Sequence, residues 1–345
     1  MRILLVKLGA IGDVLRTTAL LSGLSEKYQP AEIDWITSDI SRELLEWNSY
    51  LHRVFAWEER DGVNNYDLVI GLEDEKDVCR FVSTLNAKGV VGAYLEKGKI
   101  VYTPSAWFDM SMISSLGLER ANELKKKNQK SYQQHMADLL GIRVSPYVFK
   151  LIPEEIEAGR KLIRELGISK SDRVIGINTG AGRRWPQKSW GIEQTIDLVK
   201  LIKNKLGAVS LILGGIDERE RNKAITHETG MPEAGVHSLR GFASVIDQCQ
   251  LLLSSDSLAL HFGIALKKRL VILFGPTSAA EIEVYGLGEK LTAPVDCVTC
   301  YKKECEVKPS CMDSISVKSV FSALRNEWGR ALSSAALEIR RRDKL

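Results

Sequence analysis

The first 24 residues, MRILLVKLGAIGDVLRTTALLSGL, contain the pattern from which we derive the fold of this chain. Ile3–Val6 is a short apolar run, a loop with two glycines follows and ends on Asp13, and Val14–Leu24 has apolar residues at helical spacing. Such a strand–loop–helix unit is typical of open α/β sheets, which bind ligands at the carboxyl ends of their strands. Asp13 is therefore a candidate functional residue. The glycine spacing G-x-x-G differs from the G-x-G-x-x-G of dinucleotide-binding folds, and a tight turn without a ligand would give the same pattern.

Length and composition indicate a globular protein of two domains. The 345 residues are enough for two domains of ordinary size, and 44% hydrophobic with 27% charged residues argues against a disordered chain. The net charge of +4 is too small to indicate a nucleic-acid partner, although it suits work with phosphates or near anionic lipid. No apolar run approaches the ~20 residues that span a bilayer, and the N-terminus lacks the features of a signal peptide. We therefore expect a cytoplasmic protein.

The chain contains two successive sets of alternating strands and helices. The main predicted strands are Glu32–Thr37, Asp67–Leu72, Val174–Asn178, Val209–Leu213, Leu251–Ser255 and Leu270–Phe274. Buried apolar strands separated by helices favour parallel sheets covered on both faces. Residues 141–153, with two prolines and no periodicity, form the best linker. We therefore predict an α/β fold of two doubly wound, Rossmann-like domains that face each other across a cleft. The first domain is residues 1–150 and the second is residues 151–345, with a terminal helix that packs back on the first domain.

A polar, basic loop, NTGAGRRWPQKSW at residues 178–190, follows the first predicted strand of the second half. Its glycines allow close approach of the backbone to a ligand, and its cations suit phosphate oxygens, with which an arginine fork forms two parallel bonds. The loop is thus a candidate phosphate-binding segment, and the alternative is a solvated basic loop. Its candidate ligand-binding residues are Asn178, Thr179, Gly180, Arg183 and Lys188.

An acidic segment, GGIDERE at residues 214–220, follows the next predicted strand. Glu218 and Glu220 are candidates to accept hydrogen bonds from the hydroxyls of a ribose. The alternative is that these acids only begin the next helix, where carboxylates are favoured near the positive end of the helix dipole.

A third segment, SSDSLALH at residues 254–261, follows the strand Leu251–Ser255. Asp256 or Ser257 is expected to cap a helix that begins near Leu258, with backbone N–H groups left to bind a diphosphate. The alternative is that Asp256 is only a cap and that His261 only packs in the interior.

Four of the six cysteines form the pattern C-x2-C-x4-C-x5-C, at Cys297, Cys300, Cys305 and Cys311. Disulfides are not expected in a reducing cytoplasm. Four thiolates suit a tetrahedral zinc ion or an iron–sulfur cluster. Because the spacing is not that of a standard zinc finger, a structural zinc ion, an iron–sulfur cluster and free thiols are all open alternatives.

In their order along the chain, these segments resemble glycosyltransferase family 9, the ADP-heptose:lipopolysaccharide heptosyltransferases. The resemblance covers nearly the whole chain. It is carried by LGAIGDVLRTTALL (8–21), WFDM (107–110), NQKSYQQ (128–134), GAGRRWPQKSW (180–190), SSDSLALHFGIAL (254–266) and LFGPTSAAEIEVYG (273–286). The resemblance implies a two-domain GT-B fold, with the acceptor bound by residues 1–150 and the nucleotide sugar bound by residues 151–345.

The same resemblance implies roles for single residues. Asp13 falls on the catalytic base of the family, and Arg183 falls where the family usually has a phosphate-binding lysine. The donor loop of the family reads Asp-Thr-Gly-x-x-His, and this chain has Ser and Leu in place of Thr and Gly. The positions that match this donor loop are Asp256, Ser257, Leu258 and His261. Asn178 and Thr179 match positions of the donor pocket, and Glu218 or Glu220 matches the ribose-binding carboxylate.

We therefore expect an inverting glycosyltransferase that moves heptose from ADP-heptose to a lipopolysaccharide core or a related lipid-linked glycan. Arg183 and Lys188 would stabilise the leaving diphosphate, and because fixed positive charge can replace a divalent metal there, no cofactor is expected for transfer. We also expect peripheral contact with the cytoplasmic face of the inner membrane and no nucleic acid. The alternatives are a nucleotide-binding oxidoreductase with Asp39 as its ribose carboxylate, and a metal or redox scaffold built on the cysteine cluster.

Overall fold

The computed structural model describes residues 1–110, 116–302 and 304–342, except the side chains of residue 118 and residues 334–342. The chain forms two compact units, Met1–Lys150 with Ala280–Glu283, and Leu151–Ala279 with Val284–Leu345. Each unit is an α/β structure built on a largely parallel sheet, and this confirms the predicted fold class.

The first unit has a six-stranded sheet. Its strands are β1 (Arg2–Val6), β2 (Glu32–Thr37), β3 (Leu51–Ala56), β4 (Tyr66–Gly71), β5 (Ala87–Glu96) and β6 (Lys99–Tyr102). Its helices are α1 (Ile11–Thr17), α2 (Leu21–Lys27), α3 (Asp39–Arg42), α4 (Lys76–Thr84), α5 (Ala106–Asp109), α6 (Leu118–Lys127) and α7 (Tyr132–Leu140). The strand order is β3-β2-β1-β4-β5-β6, and the neighbours are parallel except for the antiparallel pair β5 and β6.

Strand β1 is buried on both faces and divides the core of the first unit into two layers. Ile3 and Leu5 belong to a cluster with side chains of α1, α2 and α7, whereas Leu4 and Val6 belong to a cluster that α4 covers. Successive side chains of a strand point to opposite faces, so a strand covered on both sides must be apolar at every position. This explains the continuous apolar run at the start of the sequence.

The second unit has a five-stranded sheet that is parallel throughout its described strands. Its strands are β7 (Val174–Asn178), β8 (Val209–Leu213), β9 (Leu251–Ser255), β10 (Arg269–Phe274) and β11 (Gly288–Thr292), in the order β11-β10-β9-β7-β8. Its helices are α8 (Pro153–Glu165), α9 (Ile192–Leu206), α10 (Arg219–Thr229), α11 (Leu239–Asp247), α12 (Leu258–Ala265) and α13 (Val317–Arg342). One core cluster joins the sheet to side chains of α9 and α13.

The predicted helix Val14–Leu24 is wrong as a continuous element. Helix α1 ends at Thr17, a 3-10 turn spans Thr18–Leu20, and α2 follows. The hydroxyls of Thr17 and Thr18 donate to the carbonyl oxygens of Asp13 and Leu15, at 2.7 and 2.6 Å. Threonine side chains that bond back in this way compete with the helix backbone and bend it.

None of the helices within the described ranges is both long enough and apolar enough to cross a lipid bilayer.

Candidate functional site

The strand orders place the candidate residues where open α/β sheets bind ligands. In each sheet, chain connections leave in opposite directions from one central pair of strands, β1 and β4 in the first unit and β7 and β9 in the second. Ligands bind beyond the carboxyl ends of the strands at such a switch point. Asp13 and Asp256 lie in the segments that follow β1 and β9, and Asn178 is the last residue of β7, as predicted from the sequence.

Asp13 lies in the first turn of α1, next to a buried arginine. Arg16 Nε is 3.1 Å from Asp13 Oδ1, and the arginine is only 9% exposed. Its guanidinium lies over the ring of Tyr132, 4.2 Å from the centroid, and 5.5 Å from the Trp107 ring. Burial would lower the pKa of Arg16, but the charge of Asp13, together with the smaller effects of Tyr132, Glu281 and Tyr147, raises it, so the guanidinium stays charged. The carboxylate therefore has a fixed cation beside it.

A buried ion pair holds the loop between β1 and α1. Glu73 Oε1 accepts hydrogen bonds from the backbone N–H of Leu8 at 2.6 Å and of Gly9 at 2.9 Å, and it lies 2.9 Å from Lys7 Nζ. Burial raises the pKa of Glu73, although Lys7 opposes this effect. Burial would lower the pKa of Lys7, but the charges of Glu73 and Asp13 raise it. This carboxylate thus anchors the loop that leads to Asp13.

The sequence analysis missed Lys7, Glu73 and the stacking of Arg16 on Tyr132. Lys7 directly follows β1 and Glu73 comes two residues after the end of β4, so both are charged residues at the ends of buried strands. A charged residue at the end of a buried strand is a local pattern, so both residues could have been named as candidates from the sequence. The pairing itself, however, joins residues 66 positions apart, and the arginine stacking joins residues 116 positions apart (73 − 7 and 132 − 16).

In the second unit, Lys188 and Asp256 form a largely buried ion pair. Lys188 Nζ is 2.8 Å from Asp256 Oδ2 and also donates to the Asp256 carbonyl oxygen at 3.1 Å. The two side chains are 13% and 16% exposed. Burial would raise the pKa of Asp256, but Lys188, His261 and hydrogen bonds lower it to about 2. A lysine ammonium and an ionised carboxylate therefore meet at the start of α12.

Asn178 connects the loop after β7 to the start of α12. Its Nδ2 donates to the Gly180 carbonyl oxygen at 2.7 Å, and its contacts with the hydroxyls of Ser254 and Ser257 are 3.3 and 3.2 Å. Ser257 is the N-cap residue of α12, and its side chain makes no capping hydrogen bond to the helix. The helix begins at Leu258, as predicted. Its first backbone N–H groups thus point out of the helix at the switch point, a common anion-binding arrangement.

Thr179 and His261 are interior residues of this unit. Thr179 is 4% exposed, and its hydroxyl donates to Asn222 Oδ1 at 2.6 Å. His261 is 5% exposed and lies in the first half of α12. Gly180 is also buried, and a Cβ at this position would lie 2.3–2.6 Å from the Glu218 side chain. The glycine therefore lets the loop after β7 approach Glu218 closely.

Of the two candidate ribose-binding acids, Glu218 lies at the loop and Glu220 lies on the surface. Glu218 Oε1 accepts from the backbone N–H of Gly182 at 3.0 Å, and its Oε2 accepts from that of Gly215 at 2.8 Å. Glu220 is largely exposed and pairs with Lys223 on α10. The structure therefore brings only the first of these two acids to the 178–190 loop.

Arg183 is on the surface of the 178–190 loop. Its side chain is 87% exposed, and Nε lies 2.6 Å from Asp217 Oδ1. The backbone N–H of Arg183 contacts Asp217 Oδ2 at 3.3 Å. Lys188, not Arg183, is thus the cation of this loop that is held at the start of α12.

Arg221 was not found by sequence reasoning. Its Nη1 donates to the carbonyl oxygens of Thr179 at 3.3 Å and Trp190 at 2.5 Å. Burial lowers the pKa of this arginine, against the opposing charge of Glu218. The guanidinium joins the two ends of the 178–190 loop, and nothing in its local sequence indicates this.

The cysteine-rich segment is not arranged as a metal site. Among the residues that the structure describes, no group of three or more His, Cys, Asp or Glu side chains is placed to hold a metal ion. Cys311 is buried against Gly275 and Met312, whereas Cys297 is exposed, so their environments differ. Burial raises the pKa of the Cys311 thiol to about 11. In the described part of the chain the four thiols are thus not placed as ligands of one ion, although Cys297, Cys300 and Cys305 all act electrostatically on Cys311, and the three alternatives of zinc, cluster and free thiols stay predictions.

The cysteine-rich segment contacts the 178–190 loop through Tyr301. The Tyr301 ring is 6.4 Å from the Trp185 ring in an edge-on arrangement, and its hydroxyl accepts from the backbone N–H of Ser278 at 3.2 Å. Trp185 in turn lies 5.7 Å from Lys188 Nζ. The cysteine-rich segment is thus part of the packing around this loop.

Comparison with known proteins identifies the family. Lipopolysaccharide heptosyltransferase 1 of Pseudomonas aeruginosa is 22% identical over 324 residues, which are 90% of this chain and 89% of that protein. The glycosyltransferase family 9 protein of Veillonella parvula has a TM-score of 0.76 at 18% identity, over 94% of this chain and 96% of that chain. The ADP-heptose LPS heptosyltransferase II of Escherichia coli has a TM-score of 0.67 at 17% identity, over 97% and 100%.

The Veillonella parvula and Escherichia coli structures show that the fold is shared. The comparisons give no support to the oxidoreductase and scaffold alternatives. The sequence model of glycosyltransferase family 9 (heptosyltransferase) matches residues 62–311, which is well over half of the chain. The protein belongs to glycosyltransferase family 9.

Proposed function

We propose that this chain transfers heptose from ADP-heptose to a lipopolysaccharide core, with Asp13 as the general base. The names of its relatives in Pseudomonas aeruginosa and Escherichia coli support the donor and the acceptor. The observation that carries the proposed base is the placement of Asp13, at the β1–β4 switch point with a charged arginine 3.1 Å away. An adjacent cation favours the ionised form of a carboxylate, and an ionised carboxylate can accept a proton.

The proposed reaction is a single displacement with inversion. Asp13 takes the proton of the attacking hydroxyl of the acceptor while that oxygen forms a bond to the anomeric carbon of heptose. The bond from this carbon to the diphosphate oxygen breaks, and the electron pair leaves with ADP. A general base of this kind contributes ~10²- to 10⁴-fold to the rate.

The second unit supplies the proposed donor site. Lys188 directs two hydrogen bonds to Asp256, and because an ammonium has three protons it retains one for a phosphate oxygen. Arg183 is the second proposed phosphate cation, and Gly180 lets the loop backbone approach the donor. Fixed cations at the leaving group are the reason to expect no metal requirement for transfer.

The remaining proposed donor contacts lie around α12 and the acidic turn. The first N–H groups of α12 favour an anion, which suits the diphosphate. Glu218 is the proposed partner of the ribose hydroxyls, because each of its carboxylate oxygens has a second lone pair beyond the backbone N–H that it already accepts. The other members of the proposed donor site are Asn178, Thr179, Asp256, Ser257, Leu258 and His261.

A lipid-linked acceptor implies work at a membrane surface. We propose that the protein acts in the cytoplasm and contacts the inner membrane peripherally, since its acceptor is anchored there. The net charge of +4 supports contact with anionic lipid only weakly.

The test of this function is Asp13→Asn in the full chain. We expect ADP-heptose binding, measured by calorimetry, to stay close to that of the wild type, and turnover to fall by ~10²- to 10⁴-fold because the base is lost. Asp77→Asn is the matched control, since Asp77 is also a first-turn aspartate of a helix and also pairs with the arginine three residues later. Normal turnover by Asp13→Asn would remove Asp13 from the mechanism. Stabilisation by UDP-sugars in place of ADP-heptose would overturn the donor assignment.

A further inference from the structure

The pair formed by Asp13 and Arg16 differs from an ordinary helical ion pair by its burial. Asp77 and Arg80 on α4 have the same residue types at the same i,i+3 spacing, but their side chains are 81% and 53% exposed. The Arg16 side chain is 11% exposed and that of Asp13 is 35% exposed. Exposed pairs of this type contribute little because water screens them. A pair in which the cation is removed from water interacts more strongly.

Aromatic side chains hold the Arg16 guanidinium in one place. It lies over the Tyr132 ring, and Trp107 packs edge-on against the same tyrosine with 4.9 Å between ring centroids. The Tyr132 hydroxyl is 2.8 Å from Thr17 Oγ1, and its backbone N–H donates to the Glu281 carbonyl oxygen at 3.0 Å. Because both the ring and the backbone of this tyrosine are fixed, the arginine loses little further freedom when it pairs with a carboxylate.

Charged and titratable groups from several elements surround Asp13. Lys7 directly after β1, Arg16 from α1 and Tyr132 from α7 all interact electrostatically with it. Lys7 is also paired with Glu73 at 2.9 Å, whereas Arg16 interacts in addition with Glu281 and with Tyr147. Among the described residues, Lys7 and Arg16 are thus cations that act on the Asp13 carboxylate, and Arg16 lies at ion-pair distance on the same helix.

We infer that Arg16 is a positioning residue for the base: it holds a fixed guanidinium beside the Asp13 carboxylate, and this positive charge favours the ionised form of that carboxylate. This inference rests on the proposed role of Asp13. Nε lies at ion-pair distance from Oδ1 but makes no hydrogen bond to it, so the effect of Arg16 on Asp13 is electrostatic, and the nearby positive charge favours the ionised form of the carboxylate. Arg16 itself has no bond to make or break in the transfer.

The direct test is a titration of the Asp13 carboxyl by ¹³C NMR in protein labelled at aspartate Cγ. Asp13→Asn identifies the resonance, because that signal disappears in the variant. In both Arg16→Met and Arg16→Gln the midpoint is expected to rise by about one pH unit or more, since an adjacent arginine lowers an aspartate pKa by ~1–3 units. Arg16→Lys is expected to return the midpoint toward that of the wild type. Arg80→Met, the exposed counterpart, is expected to leave it unchanged.

The pH profile of turnover gives a second readout. In Arg16→Gln the acidic limb is expected to move to higher pH together with the NMR midpoint, with turnover at high pH reduced by ~10-fold or less. A purely structural role would lower turnover at every pH and leave the limb in place, and this result would overturn the inference. Equal midpoints of the Asp13 titration in the wild type and in Arg16→Gln would also overturn it. If Arg16→Met does not fold, the result for Arg16→Gln decides.

The two proposals can fail separately. Loss of turnover in Asp13→Asn with an unchanged midpoint in Arg16→Gln would keep the base and reject the role of Arg16. Normal turnover in Asp13→Asn with a raised midpoint in Arg16→Gln would reject the proposed base and still support the coupling of the two residues.

Discussion

Replacement of Lys188 by methionine tests the energetics of the ion pair at the start of α12. The substitution keeps an unbranched side chain of similar length and removes the ammonium that lies 2.8 Å from Asp256 Oδ2. Asp256 would remain largely buried without this cation. We therefore expect a large loss of stability.

The size of the loss follows from the geometry and from the pKa of Asp256. Two unit charges at 2.8 Å attract by ~6 kcal/mol at an effective dielectric constant of ~20, before desolvation is subtracted. The fall of the Asp256 pKa from 3.8 to about 2 gives the net effect, about 2 kcal/mol in favour of the folded, ionised state. Without Lys188 the burial of Asp256 is no longer offset by that cation. The loss should therefore exceed this value and reach about 3 kcal/mol, near the lower limit for a broken buried pair.

The assay is urea unfolding of the full chain, followed by circular dichroism at neutral pH. Lys223→Met is the matched control, because Lys223 forms an exposed pair with Glu220 and should change stability by about 0.5 kcal/mol or less. Lys188→Met/Asp256→Asn should recover part of the loss, since no unpaired charge remains buried. A Lys188→Met protein as stable as the Lys223→Met protein would refute the reasoning.

The same pair predicts the sign of the pH dependence. A carboxyl whose pKa is lowered on folding stabilises the protein above its unfolded pKa, so the contribution of Asp256 is complete at neutral pH. It is lost as the pH falls from 3.8 to about 2, when the folded protein takes up the proton. In Lys188→Met the burial of Asp256, which raises its pKa, is no longer offset by that cation, so this acid-induced loss should shrink or become a gain in stability as the carboxyl takes up its proton.

Two further predictions concern the 178–190 loop and the cysteines. Arg221→Gln removes the guanidinium that joins Thr179 to Trp190. We expect this variant to bind ADP ~10-fold more weakly in isothermal calorimetry, because a charged hydrogen bond contributes ~1.5–3 kcal/mol. Unchanged ADP affinity would contradict the proposal that Arg221 holds the 178–190 loop in place. With a thiol reagent at pH 8, the exposed Cys297 should react first, while Cys311, whose pKa burial raises to about 11, should react only after unfolding. Equal rates for these two cysteines in the folded protein would show that the observed burial is wrong.

The interior strands could be predicted from the sequence because burial leaves a local pattern. The predicted strands Glu32–Thr37, Val174–Asn178, Val209–Leu213 and Leu251–Ser255 have the observed bounds of β2, β7, β8 and β9. Each is an almost continuous run of buried residues. Strand β3 lies at the edge of its sheet and is half exposed, so polar residues interrupt its pattern and the sequence analysis missed it. Strands β5 and β6 were missed as well: β6 is the other edge strand, β5 lies beside it, and most residues of both are partly or fully exposed.

The position of the candidate site was predictable, but the partners of its residues were not. Strand ends are local features, so Asp13 and Asp256 could be placed at the ends of β1 and β9 from sequence alone. The choice between Arg183 and Lys188 depends on how a 13-residue loop folds, and nothing local distinguishes two cations five positions apart. The structure places Lys188 against Asp256 and Arg183 against the surface residue Asp217. The catalytic roles of these residues are still predictions.

The segment Ala280–Glu283, which belongs to the first compact unit, has a consequence for how the protein is made. Its Glu281 carbonyl oxygen accepts the backbone N–H of Tyr132, and its carboxylate acts on Arg16. During synthesis from the N-terminus, these contacts can form only after residue 283 has left the ribosome, long after the β-sheet of the first unit has emerged. The surroundings of Asp13 are therefore completed late in translation, and a chain released after Lys150 would never acquire them.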